Sequence, residues 1–94
     1  IEVPEIQRQV AMEFAIPVEP LRGKRRTSNI AFARQVAMFL TKELTKLTLV
    51  DIGKSFGNRD HSTVLYGIDK ISKRLKTDRE LETRLERLRE QLRS

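Results

Sequence analysis

The run Phe56-Gly57-Asn58-Arg59-Asp60-His61-Ser62-Thr63-Val64-Leu65 concentrates the chemistry of this chain. Gly57 and Asn58 are the residue types that most readily adopt positive φ, so the backbone can reverse sharply there. Asp60 can then accept backbone N–H bonds from the helix that follows, with His61, Ser62 and Thr63 in its first turn. Asp60 is an acceptor only. His61 can donate or accept. The hydroxyls of Ser62 and Thr63 suit phosphate or base, and Arg59 is a long cation at the helix entrance, placed for phosphate or an adjacent base. Upstream, residues 48–56 read as a short helix opened by Thr48 and Asp51 in a capping-box-like pair. A short helix, a glycine turn and a polar-tipped second helix form the organisation of a helix-turn-helix, whose second helix enters the DNA major groove N-terminus first.

Other chemistries find little support. His61 is the sole histidine and cysteine is absent, so no metal-ligand spacing, disulfide or thiol nucleophile is available. No nucleophile or orienting carboxylate accompanies His61 in a recognisable arrangement, and neither a catalytic residue nor a cofactor is expected. The phosphate-loop pattern is missing, because Gly23-Lys24 is preceded five residues earlier by Val18 and followed by Arg25. No apolar run nears the roughly 20 residues that cross a bilayer, and no signal-peptide pattern opens the chain.

Charge supports a polyanionic partner. Nineteen Lys+Arg against thirteen Asp+Glu in 94 residues give a formal charge of +6 and a pI near 10.2, in the range usual for nucleic-acid binders. The excess is localised. No acid lies between Glu19 and Glu43, where Arg22, Lys24, Arg25, Arg26, Arg34 and Lys42 all fall, whereas signs alternate from Asp78 onward. Such asymmetry favours a binding face over an evenly solvated surface.

The elements that must position these residues read as helices throughout. A first helix is expected over residues 3–14, with Pro4 early and Ile6, Val10 and Phe14 recurring every four positions beside Val3 and Ala11. Pro17 and Pro20 bracket a very short helix or turn over residues 18–21. Residues 23–28 form a basic loop. Ser28 or Asn29 should cap a long helix reaching about Lys46, with Ile30, Ala33, Ala37, Leu40 and Leu44 inward. The two motif helices follow, the second running to about Lys76 with Val64, Leu65, Ile68, Ile71 and Leu75 on its core face. A last helix is expected from Thr77, where Thr77 and Glu80 would form a capping box, and Leu81, Leu85, Leu88 and Leu92 should pack on the core rather than form a dimer seam. The fold class is therefore all-α: a six-helix, bundle-like single domain over residues 1–94, long enough for one core. Its first residue is Ile, leading straight into helical sequence, as expected of a domain excised from a longer protein.

At Lys24-Arg25-Arg26, Ala33-Arg34-Gln35 and, above all, residues 56–65 behind Ile52-Gly53, the chain resembles the C-terminal DNA-binding domain of the bacterial replication initiator DnaA. The resemblance extends from the first helix to about Lys76. It implies sequence-specific binding of double-stranded DNA at a short, asymmetric DnaA box, with the helix-turn-helix in the major groove and the basic loop in the adjacent minor groove. Arg26 matches the family's minor-groove arginine, and an A·T-rich minor groove attracts an inserted guanidinium. Arg34, Gln35 and Lys42 match positions that hold the phosphate backbone. Val50 and Lys54 become further backbone neighbours, and Tyr66 either packs or reaches a phosphate. The chain departs from the family pattern at Asn58, where a second glycine is common, at Ser62 for threonine, at Tyr66 for histidine, and at Phe32 and Ser28, basic in some members. The ATPase module that precedes this domain in the family has no counterpart here. The implied partner is DNA, bound by a monomer in the cytoplasm at the nucleoid. Two rivals are a dimeric helix-turn-helix transcription regulator on palindromic half-sites and a basic module for acidic membranes or proteins.

Overall fold

A computed structural model describes residues 1–93, and all regular structure among them is helical. The helices are α1 (Val3–Glu13), α2 (Glu19–Arg22), α3 (Ser28–Leu44), α4 (Leu49–Ser55), α5 (His61–Leu75) and α6 (Arg79–Arg93). The expected six-helix order is thus observed, with the basic loop between α2 and α3 and the helix-turn-helix at α4 and α5.

The long α3 is the central post, packing against α1, α2, α4 and α5. Its inward face buries Ile30, Ala33, Val36, Ala37, Met38 and Leu40. The α1 stripe of Val3, Ile6, Val10 and Ala11 covers one side, and Ile52, Phe56, Val64 and Ile71 of the motif cover another. Phe56 has no exposed surface and seats the turn between α4 and α5 in the core. The α3–α5 crossing is tight because Gly67 faces α3: a Cβ there would lie 3.0 Å from Met38 Cε and 3.1 Å from Gln35 Cγ.

That close crossing corrects one expectation. Leu65 was assigned to the core face of α5, yet it is 45% exposed. The inward stripe runs Val64, Gly67, Ile68, Ile71 and Leu75, and Leu65 lies about 100° away from Val64 around the helix. Two caps also differ. Thr27 holds the N-cap position of α3, without a side-chain bond, so Ser28 is the first helical residue; α3 ends at Leu44 rather than near Lys46. Asp78, not Thr77, caps α6, its Oδ1 accepting from the Leu81 amide at 2.9 Å. Thr77 stays in the turn that closes α5, donating its amide to the Arg74 carbonyl.

Helix α6 closes the bundle over α1 and α5. Leu81, Leu85, Leu88 and Leu92 are all buried, as expected of core packing. Polar clamps flank this seam. Glu13 Oε2 accepts from Arg84 Nε at 3.0 Å and Arg87 Nη2 at 2.8 Å, which holds the Glu13 carboxyl below its ordinary pKa despite partial burial. Arg89 grips both carboxylate oxygens of Glu43 on α3.

Because Leu85 has no exposed surface, Leu85→Ala should destabilise the domain by about 2–5 kcal/mol. Leu65→Ala should stay within about 0.5 kcal/mol of the parent. Urea denaturation followed by circular dichroism separates the two; equal losses would contradict the assignment of α6 to the core and of Leu65 to the surface.

Candidate nucleic-acid interface

Local chemistry fixes the motif. Thr48 Oγ1 accepts the Asp51 amide at 3.2 Å, the cap expected at the start of α4, and donates to Asp51 Oδ2 at 3.0 Å, so the carboxylate meets the Thr48 hydroxyl rather than its backbone amide. At the other end of α4, the Arg59 amide donates to the Gly53 carbonyl at 3.0 Å. Gly53 has no room for a side chain, since a Cβ would come within 2.0 Å of the Arg59 carbonyl oxygen. Gly57 and Asn58 hold φ of 83° and 57°, the left-handed pair the sequence called for. Asp60 Oδ1 then accepts the Thr63 amide at 2.9 Å and caps α5. That bond, above all others, lowers the pKa of the exposed Asp60 carboxyl, which is anionic at neutral pH.

The turn sits directly on the root of the basic loop. Gly57 faces the carbonyl oxygens of Arg22 and Gly23, each only 2.9 Å from where a Cβ would stand. Two guanidiniums gather the carbonyls at the end of α2. Arg34 donates from Nε to Leu21 O at 3.2 Å and from Nη2 to Pro20 O at 2.6 Å. Arg59 donates from Nη1 to Gly23 O at 2.8 Å and to Phe56 O. A third link runs through Gln7, 2% exposed, whose Oε1 accepts from Arg22 Nε at 2.7 Å while its Nε2 donates to Ser55 O at 2.9 Å.

Between loop and motif lies a cleft of about 500 Å³. Seven of the twelve sequence-predicted residues line it: Arg26, Arg34, Gln35, Arg59, Asp60, Thr63 and Tyr66. The other five lie outside it and are exposed. His61 and Ser62 stand on the first turn of α5, Lys42 two turns beyond Gln35 on α3, and Val50 and Lys54 one turn apart on α4. Leu65, also exposed, follows one turn behind His61 and Ser62. Arg34 is 4% exposed and forms a floor to the cleft rather than a projecting arm.

Electrostatically the cleft is one-sided. Lys24, Arg26, Arg34 and Arg59 face the single carboxylate of Asp60, and none of the four enters an ion pair among the described residues. Burial, together with the charge of Arg59, lowers Arg34 to about 10; burial and the charge of Arg26 lower Arg59. Arg34 and Arg59 nonetheless remain cationic at neutral pH, and repulsion within the cleft is relieved by any anion that enters. No group of His, Cys, Asp and Glu among the described residues could hold a metal ion, and no helix is long and apolar enough to cross a membrane.

Three contributors escaped the sequence reading. Lys24 lines the cleft although only Arg26 was singled out from its basic triplet. Gln7 and Arg22 link α1 to the loop root. Gln7 did leave a trace: it is the one polar residue in the stripe Val3, Ile6, Gln7, Val10, Ala11 that α1 buries.

Gly53→Ala should push the turn away from α4 and destabilise the domain by about 1–3 kcal/mol. Thermal denaturation reads this directly; a melting temperature unchanged from the parent would contradict the close approach at Gly53.

With this geometry in view, the comparisons with known proteins converge. Residues 3–71 match the family described as bacterial dnaA protein helix-turn-helix. The whole chain is 45% identical, over 94 residues, to a chromosomal replication initiator protein DnaA of Lactiplantibacillus plantarum, of which it covers 21%. The chain thus spans about a fifth of that relative's length, and it matches the helix-turn-helix part rather than an ATPase module. The chain belongs to the bacterial DnaA helix-turn-helix family.

Proposed function

We propose that this domain binds double-stranded DNA sequence-specifically at replication-origin DnaA boxes, as a monomer on an asymmetric site. The observation that carries the reading is that one cationic cleft has the basic loop on one wall and the polar tip of α5 on the other. A duplex set across it would receive α5 in the major groove and Arg26 in the adjacent minor groove.

Roles divide by reach and exposure. Asp60, His61, Ser62 and Thr63 stand at the N-terminal tip of α5, the part of such a helix that meets base edges. Asp60 Oδ1 is occupied by the cap, which leaves the other carboxylate oxygen to accept from a cytosine amino group. Gln35, Lys42, Lys54 and Tyr66 suit the phosphate backbone, with Val50 a close neighbour. Arg34 and Arg59 supply fixed positive charge at the floor. Through counterion release, roughly six phosphate contacts give a logarithmic salt slope near five. The chain carries recognition and no catalysis, and it acts in the cytoplasm at the nucleoid. The dimeric-regulator alternative requires palindromic half-sites, and nothing in the cleft calls for a second copy.

Asp60→Asn separates reading from capping, because asparagine caps a helix about as well as aspartate but presents donors where the carboxylate only accepts. Its stability should stay within a few tenths of a kcal/mol of the parent, while its preference for the box over a scrambled duplex should fall by roughly tenfold, the worth of one good base contact. Lys42→Ala should weaken both duplexes alike and lower the salt slope by about one. Fluorescence anisotropy titrations at several salt concentrations measure both. If both variants lost affinity equally on both duplexes, the division of roles would be wrong.

A further inference from the structure

We propose that Arg59 is a positioning residue that latches the basic loop to the reading helix, so that the two DNA-facing parts move as one body. The inference rests on the DNA-binding reading above but gives Arg59 a task of its own. From its place at the entrance to α5, its side chain would be taken for one more cation reaching to DNA. Its Nη1 instead donates inward, to the carbonyl of Gly23 at the loop's root and to the carbonyl of Phe56 in the motif's turn. One nitrogen thus ties the motif's turn to the Gly23 carbonyl, 36 residues before Arg59 in sequence.

Independent geometry supports the joint. Gly57, adjacent to Phe56, packs so closely on the Arg22 and Gly23 carbonyls that no side chain fits between. The loop beyond Gly23 has little else to hold it, since Lys24, Arg25, Arg26 and Thr27 are all exposed and residues 24–27 form no regular structure. Hydrogen bonds donated by a charged group are about twice as strong as neutral ones, and Arg59 is the guanidinium that reaches Gly23, the last residue before the loop departs. Because Arg26 leaves from that root, the bond sets the position of the minor-groove arginine relative to the tip of α5. Arg59 therefore acts through Arg26.

The test uses the 94-residue chain, first without DNA. In heteronuclear NOE measurements on ¹⁵N-labelled protein, residues 24–27 should be nearly as ordered as the helix ends in the parent. They should become markedly more mobile in Arg59→Gln, while α3 and α5 keep their values. Should Arg59→Gln lose its helical circular dichroism, Arg59→Met serves: it keeps an unbranched apolar stem but has no donor for the two carbonyls, and the same loosening is expected. Loop order identical to the parent in a folded variant would overturn the latch, whatever the DNA affinity. A second arm replaces adenine by 2,6-diaminopurine in the minor-groove half of the box, adding an amino group that only the minor groove displays. The parent should discriminate by about tenfold, Arg26→Ala should not, and Arg59→Gln should lose that discrimination while keeping its preference at bases read in the major groove. Loss of both kinds of discrimination together would mark Arg59 as a direct reader and overturn the proposal. A parent indifferent to every duplex would instead sink the DNA-box reading, and the NOE result would still decide the latch.

Discussion

The contact between the motif's turn and the end of α2 is the constraint on which the rest of this domain depends. Gly53 must be bare so that the Arg59 backbone can cross it, and Gly57 must be bare so that the turn can lie on the carbonyls of Arg22 and Gly23. Once those approaches are made, the carbonyls of Pro20, Leu21 and Gly23 at the end of the four-residue α2 sit within reach of Arg34 and Arg59. Helix ends must have their free carbonyls satisfied. Here the satisfying groups are cations that also charge the cleft, so one set of bonds closes the fold and builds the field that attracts a polyanion.

The remaining helices hold this junction rigid. Gln7 carries its constraint into α1, and α1 is fixed in turn by α6 through Glu13, Arg84 and Arg87. Arg84 also lies over the Phe14 ring at 4.0 Å, and Phe14 meets Phe32 edge to face. The acids and bases that pair in this way lie on α1, α3 and α6, away from the cleft. Within the cleft, by contrast, Lys24, Arg26, Arg34 and Arg59 face only the carboxylate of Asp60.

Much of this was legible in the sequence because it rests on local rules. The Thr48–Asp51 pair, the Gly57-Asn58 reversal and the Asp60 cap each involve residues at most three apart, and propensity alone indicates them. Helical spacing gave the buried faces of α1, α3 and α6. It failed at Leu65, because periodicity sees an apolar residue and does not see that Gly67 has drawn α3 onto the adjoining face. It failed again at Asp78, where two neighbouring residues were both good caps and the path out of α5 decided between them. Ala15, at φ 54° where glycine would be the usual choice, left no signal at all. The inward aim of Arg34 and Arg59 was equally hidden: composition counts a guanidinium as a surface charge, and only the folded chain brings unpartnered carbonyls to meet it.

The claim that this cleft reads a sequence, rather than merely holding a polyanion, is tested most directly by anisotropy with two duplexes of equal length, a DnaA box and its scrambled counterpart, at about 150 mM salt. A preference of at least about 10³-fold at one protein per duplex is the expected result, in line with specific DNA-binding domains generally. Comparable affinity for the two, falling steeply with salt, would contradict it and reduce the domain to a basic helical surface.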